Sequence, residues 1–411
     1  MEQIIKVSKQ TVWQVLGKIV TSFSTIIILG IVSRRFGEDG TGVFTLALTY
    51  LAFFTLAIDF GVNAYLMPDL LKENFTLVWR KLFGFRLGLV VLLIPLAILG
   101  GLFWPTSESL FKQLILIGSV MAIIEPAIYV SANAIFQSRF RYDLSIIGWS
   151  VAALVTLFLV YSSSQMNLGL PWIMVDYSLG WLVGCFILLL FVKKFVKNIW
   201  PIFDFNFVKN LIKNAWPIST TLILNVVYFR LDAFILSFYR SFAEVGIYNL
   251  SYSIFQAALV LPTFIMNGYY PLMLRHLLEN KQKFISNLKI AIFIMSILGF
   301  GGTLITVISA NWVVSLIAGG KGFVGSPEAL RILSLSFPAF FASSVLMWAL
   351  VSLKKYRSLL VIYLIGLIFN TVLNLFFIPI FSYQAAAWIT GLSEYLILIM
   401  QVVILYKHLR G

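Results

Sequence analysis

The chain has 411 residues, of which 60% are hydrophobic and only 11% charged, with a mean hydropathy of +0.96 and a formal net charge of +14. Ordinary soluble domains are about 45–50% apolar and about 25% charged, so this composition excludes a soluble globular fold and leaves an all-α polytopic membrane protein. A span needs about 20 mainly apolar residues to cross about 30 Å of hydrocarbon.

Twelve such runs are predicted, at approximately 11–33, 42–66, 82–103, 113–137, 144–163, 172–192, 216–238, 245–274, 287–310, 328–352, 358–379 and 383–406. The longest breaks, 193–215 and 311–327, are shorter than a domain of about 50 residues, so no attached catalytic domain is expected. The first run follows Lys6 and Lys9, but it exceeds a signal-peptide core and lacks a small-residue cleavage site before Arg34-Arg35. It reads as a retained span.

Within that span Thr11, Gln14, Lys18, Thr21, Ser22 and Thr25 project within about 60° of Lys18 at 100° per residue. A mid-bilayer charge costs a few kcal/mol, so the stripe reads as the wall of a polar cavity; snorkelling of Lys18 is the alternative. Asp59 and Asn63 form an i, i+4 polar pair in span two, Arg86 lies near the start of span three, and Glu125 precedes Pro126 in span four. Asp176 sits close to the end of span six, which also holds the single cysteine, Cys185. One cysteine excludes an intrachain disulfide, and His276 and His408 stand too far apart for a two-histidine site, so no metal is expected.

Between the halves, Phe207, Val208, Leu211, Ile212 and Ala215 recur at helical spacing with Lys209 and Lys213 opposite and Asp204 as an N-cap. This reads as an in-plane interfacial helix or an ordinary basic loop. Span seven carries Thr221, Asn225, Tyr228 and Asp232 along one face, with Arg230 on another, so Arg230 and Asp232 are not expected to pair directly; all five are candidate substrate-cavity residues, an acid on a neighbouring helix being the other reading of Arg230. Glu394 lies in span twelve. Asp59, Glu125 and Glu394 are the candidate ion-coupling carboxylates, carrying H+ or Na+; a structural ion pair is the other reading of each.

With the N-terminus inside, one side of the membrane collects most of the Lys and Arg, including Lys72, Arg80, Lys81, Arg139, Arg141, Lys193, Lys194, Lys197, Lys354, Lys355 and Arg357. The positive-inside rule then places both termini in the cytoplasm, and topology rather than nucleic-acid binding accounts for the charge. The halves also repeat. An offset near 204 sets Gly42-Val-Phe44 against Gly246-Ile-Tyr248 and Trp13 beside Trp216, and an offset near 215 sets 134–142 against 349–357. Six spans is an even number, so the repeats run parallel: a first lobe over 1–192, a cytoplasmic linker over 193–215 and a second lobe over 216–411.

Taken in order, Ser33-Arg-Arg-Phe-Gly37, Gly42-Val-Phe44 and Asp59-Phe-Gly61, then Trp216-Pro-Ile-Ser219, Asn225, Arg230, Asp232, Val245-Gly-Ile-Tyr248 and Pro271, resemble the polysaccharide-transporter branch of the multidrug/oligosaccharidyl-lipid/polysaccharide (MOP) flippase superfamily, which includes O-antigen flippases. The resemblance covers most of the chain. It implies two six-helix, MATE-like lobes around a V-shaped cleft. It also implies alternating access that carries a polyprenyl-diphosphate-linked oligosaccharide from the cytoplasmic to the outer leaflet, for surface polysaccharides such as lipopolysaccharide, in a bacterial or archaeal cytoplasmic membrane. Lys18, Arg86 and Arg230 are cations suited to a diphosphate, while the scarcity of others inside the first lobe argues against a highly acidic substrate.

The expected partners are that lipid-linked substrate and membrane lipids, with no nucleic acid and a monomeric chain; no catalytic residue and no cofactor beyond a coupling ion is expected. Two alternatives remain. A MATE-like multidrug or metabolite exporter shares the plan, and a membrane enzyme that polymerises or ligates glycans would need a large outer loop with catalytic groups, whereas the outer loops here are short and lack His.

Overall fold

The computed structural model describes residues 2–106, 108–320 and 322–410, with side chains except those of 2–12, 14, 64, 217–229, 267, 271 and 410. The described residues form helices and no strand: α1 (Glu2–Asp59), α2 (Val62–Leu70), α3 (Phe75–Leu102), α4 (Ser109–Ser138), α5 (Tyr142–Gln165), α6 (Leu170–Val192), α7 (Phe205–Tyr239), α8 (Phe242–Ala258), α9 (Val260–Glu279), α10 (Lys281–Ala318), α11 (Ser326–Ser334), α12 (Phe337–Ser352) and α13 (Tyr356–Arg410).

Eight of these stretches are long and apolar enough to cross a membrane, and nine when the α11–α12 pair, bent by 41°, counts as one span. Two of them are double. The 58 residues of α1 would extend about 87 Å as one rod, far beyond about 30 Å of hydrocarbon. The helix folds back at Gly37, whose φ of 65° a residue without Cβ adopts at little cost. The 55-residue α13 breaks likewise at Ser382, with φ 54°. With α7, these arms supply the twelve predicted segments of a multi-pass membrane protein.

Several boundaries differ from the sequence reading. Span two does not run to residue 66: Phe60 and Gly61 take positive φ, α1 ends at Asp59, and α2 is a separate short helix. Asp59 and Asn63 therefore face each other across a break rather than along one helix. Span three begins at Phe75, which moves Arg86 about three turns inside it. The segment 205–215 is helical and continuous with the rest of α7, with Asp204 accepting from the Phe207 amide at 3.0 Å. Residues 198–204 run along the start of α3, where Arg80 Nε donates to the Trp200 carbonyl (2.7 Å), Ile202 N to the Arg80 carbonyl (3.0 Å), and Lys81 pairs with Asp204 (2.7 Å).

The chain divides into two compact units: Met1–Arg35 with Val43–Val226, and Phe36–Gly42 with Val227–Gly411. In unit 1, α5 and α6 cross closely because Gly148, Gly180 and Gly184 stand where a Cβ would strike Leu188, Thr156 and Ala152 at 2.6, 1.8 and 2.8 Å. Small residues at such crossings let membrane helices gain dispersion contacts that lipid does not displace. In unit 2, Phe255 stacks on Phe337 at 5.1 Å, and Gly246 and Gly42 meet backbone to backbone, a Cβ on either falling within 2.9 Å of the other's amide nitrogen. Outward faces carry large apolar side chains such as Val91, Phe158, Phe186, Ile308 and Phe376, an arrangement suited to lipid and not to water.

The repeat is visible in how helix ends are satisfied. The last carbonyls of a helix lack partners within it. In unit 1 Arg35 donates to the carbonyls of Ser163 and Ser164 near the end of α5. In unit 2 Arg240 donates to those of Ile378, Pro379 and Ile380 (3.2, 2.6 and 3.0 Å), just before the break in α13. Arg240 stands one residue past the position opposite Arg35 at the first repeat offset, and its acceptors Ile378 and Pro379 stand opposite Ser163 and Ser164 at the second.

Candidate functional site

The polar stripe of the first span opens onto a pocket of about 330 Å³ within unit 1. From α1 it takes Gly17, Lys18 and Thr21; from α4, Tyr129 and Asn133; from α5, Tyr142, Ser145, Ile146, Trp149 and Ser150. Gly17 brings the helices together, since a Cβ there would lie 2.6 Å from Ile146 Cγ2. Lys18 is exposed, and the Thr21 hydroxyl donates to the Gly17 carbonyl at 3.0 Å, which leaves its oxygen lone pairs as acceptors toward the pocket. Thr25 caps the same ladder one turn on, donating to the Thr21 carbonyl (2.9 Å), and does not line the pocket. The Gln14 side chain lies outside the described residues.

Trp149 forms the pocket's aromatic wall. Its ring stacks on Tyr129 with centroids 4.5 Å apart and planes 14° from parallel, and its Nε1 donates to Glu125 Oε1 at 2.9 Å. Glu125 thus sits behind the indole as its anchor. Asn133 Oδ1 is buried with no partner among the described residues.

Arg86 has a different place. It is fully buried and donates to the carbonyls of Ile58 (3.3 Å) and Asp59 (3.5 Å), to Ser131 Oγ (3.2 Å) and to Asn63 Oδ1 (2.9 Å), with the Asp59 carboxylate 4.0 Å away. Asn63 passes the link on to the Val130 carbonyl (2.9 Å), and Trp79 Nε1 donates to that of Ser131 (2.7 Å). The break at Phe60-Gly61 frees helix-end carbonyls, and in lipid these need donors. Arg86 supplies them and staples α1, α2, α3 and α4 together.

On α7 the side chains of Thr221, Asn225 and Tyr228 fall outside the described residues. Asp232 is buried and accepts from the Tyr248 hydroxyl, from the Ala233 amide (2.7 Å) and from Thr390 Oγ1 (3.4 Å). Arg230 turns elsewhere, donating to Gln256 Oε1 at 3.2 Å with its guanidinium 5.6 Å from the Tyr252 ring centre. Glu394, also buried, accepts from Ser343 Oγ. Asn370 and Asn374 add a further buried pair on α13, with Asn370 donating to Ser393 Oγ (3.2 Å) and Asn374 to Asn370 (2.8 Å).

Residues 7–277 of the chain match the family described as polysaccharide biosynthesis protein. The chain belongs to this family. Among solved structures, a lipid II flippase MurJ in an inward closed conformation superposes with a TM-score of 0.77 at 12% identity, covering 97% of this chain and 87% of that one. An inward-facing multidrug-resistance MATE transporter of the MOP superfamily gives 0.76 at 10% identity, over 95% and 94%. An outward-facing MATE transporter of the same superfamily gives 0.64 at 12% identity, over 98% and 95%. At these identities the likeness is one of fold, that of MATE-like MOP proteins. No curated protein sequence matches the chain.

For this polysaccharide biosynthesis protein, reading charges alone missed the pocket's aromatic and amide walls. The signal was present: Glu125, Tyr129 and Asn133 recur every four residues on α4, and Tyr142, Ser145, Trp149 and Ser150 share one side of α5. The structure brings Lys18, Thr21 and, through Trp149, Glu125 to one place, and Arg86, Asp59 and Asn63 to another.

Proposed function

We propose that the chain is a flippase that moves the polar head of a lipid-linked oligosaccharide from the cytoplasmic to the outer leaflet by alternating access, in the assembly of a surface polysaccharide. The observation that carries this reading is the pocket on Lys18, a cation, hydroxyls and an aromatic wall inside a membrane lobe of a polysaccharide biosynthesis protein. A diphosphate-linked sugar needs a positive and hydrogen-bonding surface to leave water, whereas its polyprenyl tail stays in lipid. In unit 2, Asp232 with Tyr248 and Thr390 forms a buried oxygen set that suits a hard cation or a proton, so we assign ion coupling to Asp232 ahead of Asp59, which faces Arg86.

The test is a deletion strain of the source organism, complemented with wild type or Lys18→Ala at matched protein levels. The flippase reading expects loss of surface glycan and build-up of the lipid-linked precursor in the deletion, restored by wild type and reduced in the variant. Unchanged glycan with lowered tolerance to cationic drugs would replace it with the exporter reading.

A further inference from the structure

We propose that the pocket between α1, α4 and α5 is a subsite for one anionic sugar residue, with the pyranose ring against the Trp149–Tyr129 pair and its neighbouring phosphoryl or carboxyl group on Lys18. The inference deepens the flippase reading and takes from it the choice of a sugar among flat polar ligands.

Size sets the first limit. A pocket of about 330 Å³ is at the small end of ligand sites, roughly 300–1,000 Å³, and accommodates a ring and its substituent rather than a whole oligosaccharide. The second argument is the platform. Trp149 is held on one edge by Glu125 and on one face by Tyr129, so its indole is positioned before any ligand arrives and loses little rotamer freedom on binding. The negative π face attracts the weakly positive C–H bonds of a sugar ring. Around it, Ser150 and Thr21 offer hydroxyls, while the hydroxyls of Ser145 and Tyr142 bond to Tyr129 and Gln137 and brace the wall.

Charge supplies the third argument. Lys18 is the one ionic group in the pocket lining among the described residues, and the nearby carboxylate of Glu125 is occupied by the indole N–H behind the wall. With Lys18 as the lining's ionic group, the pocket is matched to a ring bearing a single adjacent anion.

The experiment uses the full chain in lipid nanodiscs and ligand-observed NMR titration with defined probes: a panel of hexose 1-phosphates, the matching uronic acids, the neutral methyl glycosides, and farnesyl diphosphate as a sugar-free anion. At least one hexose 1-phosphate or uronate is expected to bind, and the stronger class identifies whether phosphoryl or carboxyl occupies Lys18. Trp149→Ala should weaken that probe roughly five- to tenfold, with Trp149→Phe restoring most of it and farnesyl diphosphate unaffected. Lys18 is exposed, so Lys18→Glu does not depend on refolding of the core. It should abolish binding of the charged sugars and leave the methyl glycoside in place.

The proposal is overturned if no sugar probe binds the wild type, if Trp149→Ala leaves sugar binding unchanged, or if it weakens farnesyl diphosphate equally. Sugar binding in a protein whose deletion leaves surface glycan intact would defeat the flippase reading and keep the subsite. Lost glycan without sugar binding would do the reverse.

Discussion

At the repeat offset near 204, Asp232 of unit 2 stands opposite Ile28 of unit 1, and Tyr248 opposite Phe44. All four side chains are buried. In unit 1 the pair is apolar, with Phe44 meeting Tyr177 edge-on at 5.5 Å; in unit 2 the same places hold a carboxylate and its hydroxyl donor. The helix-end arginines Arg35 and Arg240, by contrast, keep their task in both. Duplication preserved what closes the backbone and let the interior diverge. At the Asp232 position unit 1 is apolar; it keeps its polar groups in the open pocket around Lys18 and at the Arg86 staple instead.

The strongest way to break this comparison is to give unit 1 the chemistry of unit 2. Ile28→Asp places a carboxylate at a buried position where Phe44 stands in place of the Tyr248 hydroxyl, and should cost several kcal/mol, read as lost expression or a collapsed melting temperature in detergent. A stable Ile28→Asp protein would mean that unit 1 retains a hidden polar network. Next in size is Arg86→Met, which strips donors from the break at Phe60-Gly61. It should cost about 2–3 kcal/mol by thermal unfolding, with little change if the staple is dispensable.

Asp232→Ala, which leaves the Tyr248 hydroxyl and the Ala233 amide without the carboxylate they donate to, should cost about 1–2 kcal/mol, and Asp232→Asn less. In both variants we expect transport to lose its dependence on the H+ or Na+ gradient in a vesicle assay. Smaller again, Gly17→Ala should push α1 from Ile146 at a cost of about 1 kcal/mol and weaken ligand binding in unit 1 alone.

The smallest effect lies at the membrane edge. A hydrogen bond from Lys81 holds the Asp204 carboxyl below its ordinary value. A lowered folded-state value means that the contribution is present above about pH 4 and is lost as pH falls through the folded value. The melting-temperature gap between wild type and Lys81→Ala should therefore close on acidification below that range. A constant gap would detach the ion pair from stability.

Hydropathy revealed the spans because lipid demands a long apolar run for each crossing, and the parallel repeat followed from Gly42 and Gly246. The breaks were not legible. Nothing in the apolar pattern marks Ser382 as a turn, or Phe60-Gly61 as the end of span two. Arg86 reads as a cavity cation in sequence because its acceptors are mostly backbone carbonyls, which no pattern of side chains displays. The wall of Trp149 was legible only through its polar neighbours on α4 and α5, because an aromatic residue in a span by itself looks the same whether it faces lipid or a pocket. Lys18 was legible because its charge had no apolar explanation.

The buried guanidinium of Arg86 also bears on how the chain enters the membrane. Alone in lipid, an arginine at mid-helix costs about 2.5–3.5 kcal/mol. Its acceptors at Ile58, Asp59 and Asn63 precede it in the chain, and Ser131 follows on α4. The segment that carries Arg86 is therefore expected to remain at the insertion machinery until the end of α1 and α2 have joined it, so that these first helices partition into lipid as a group and not one by one.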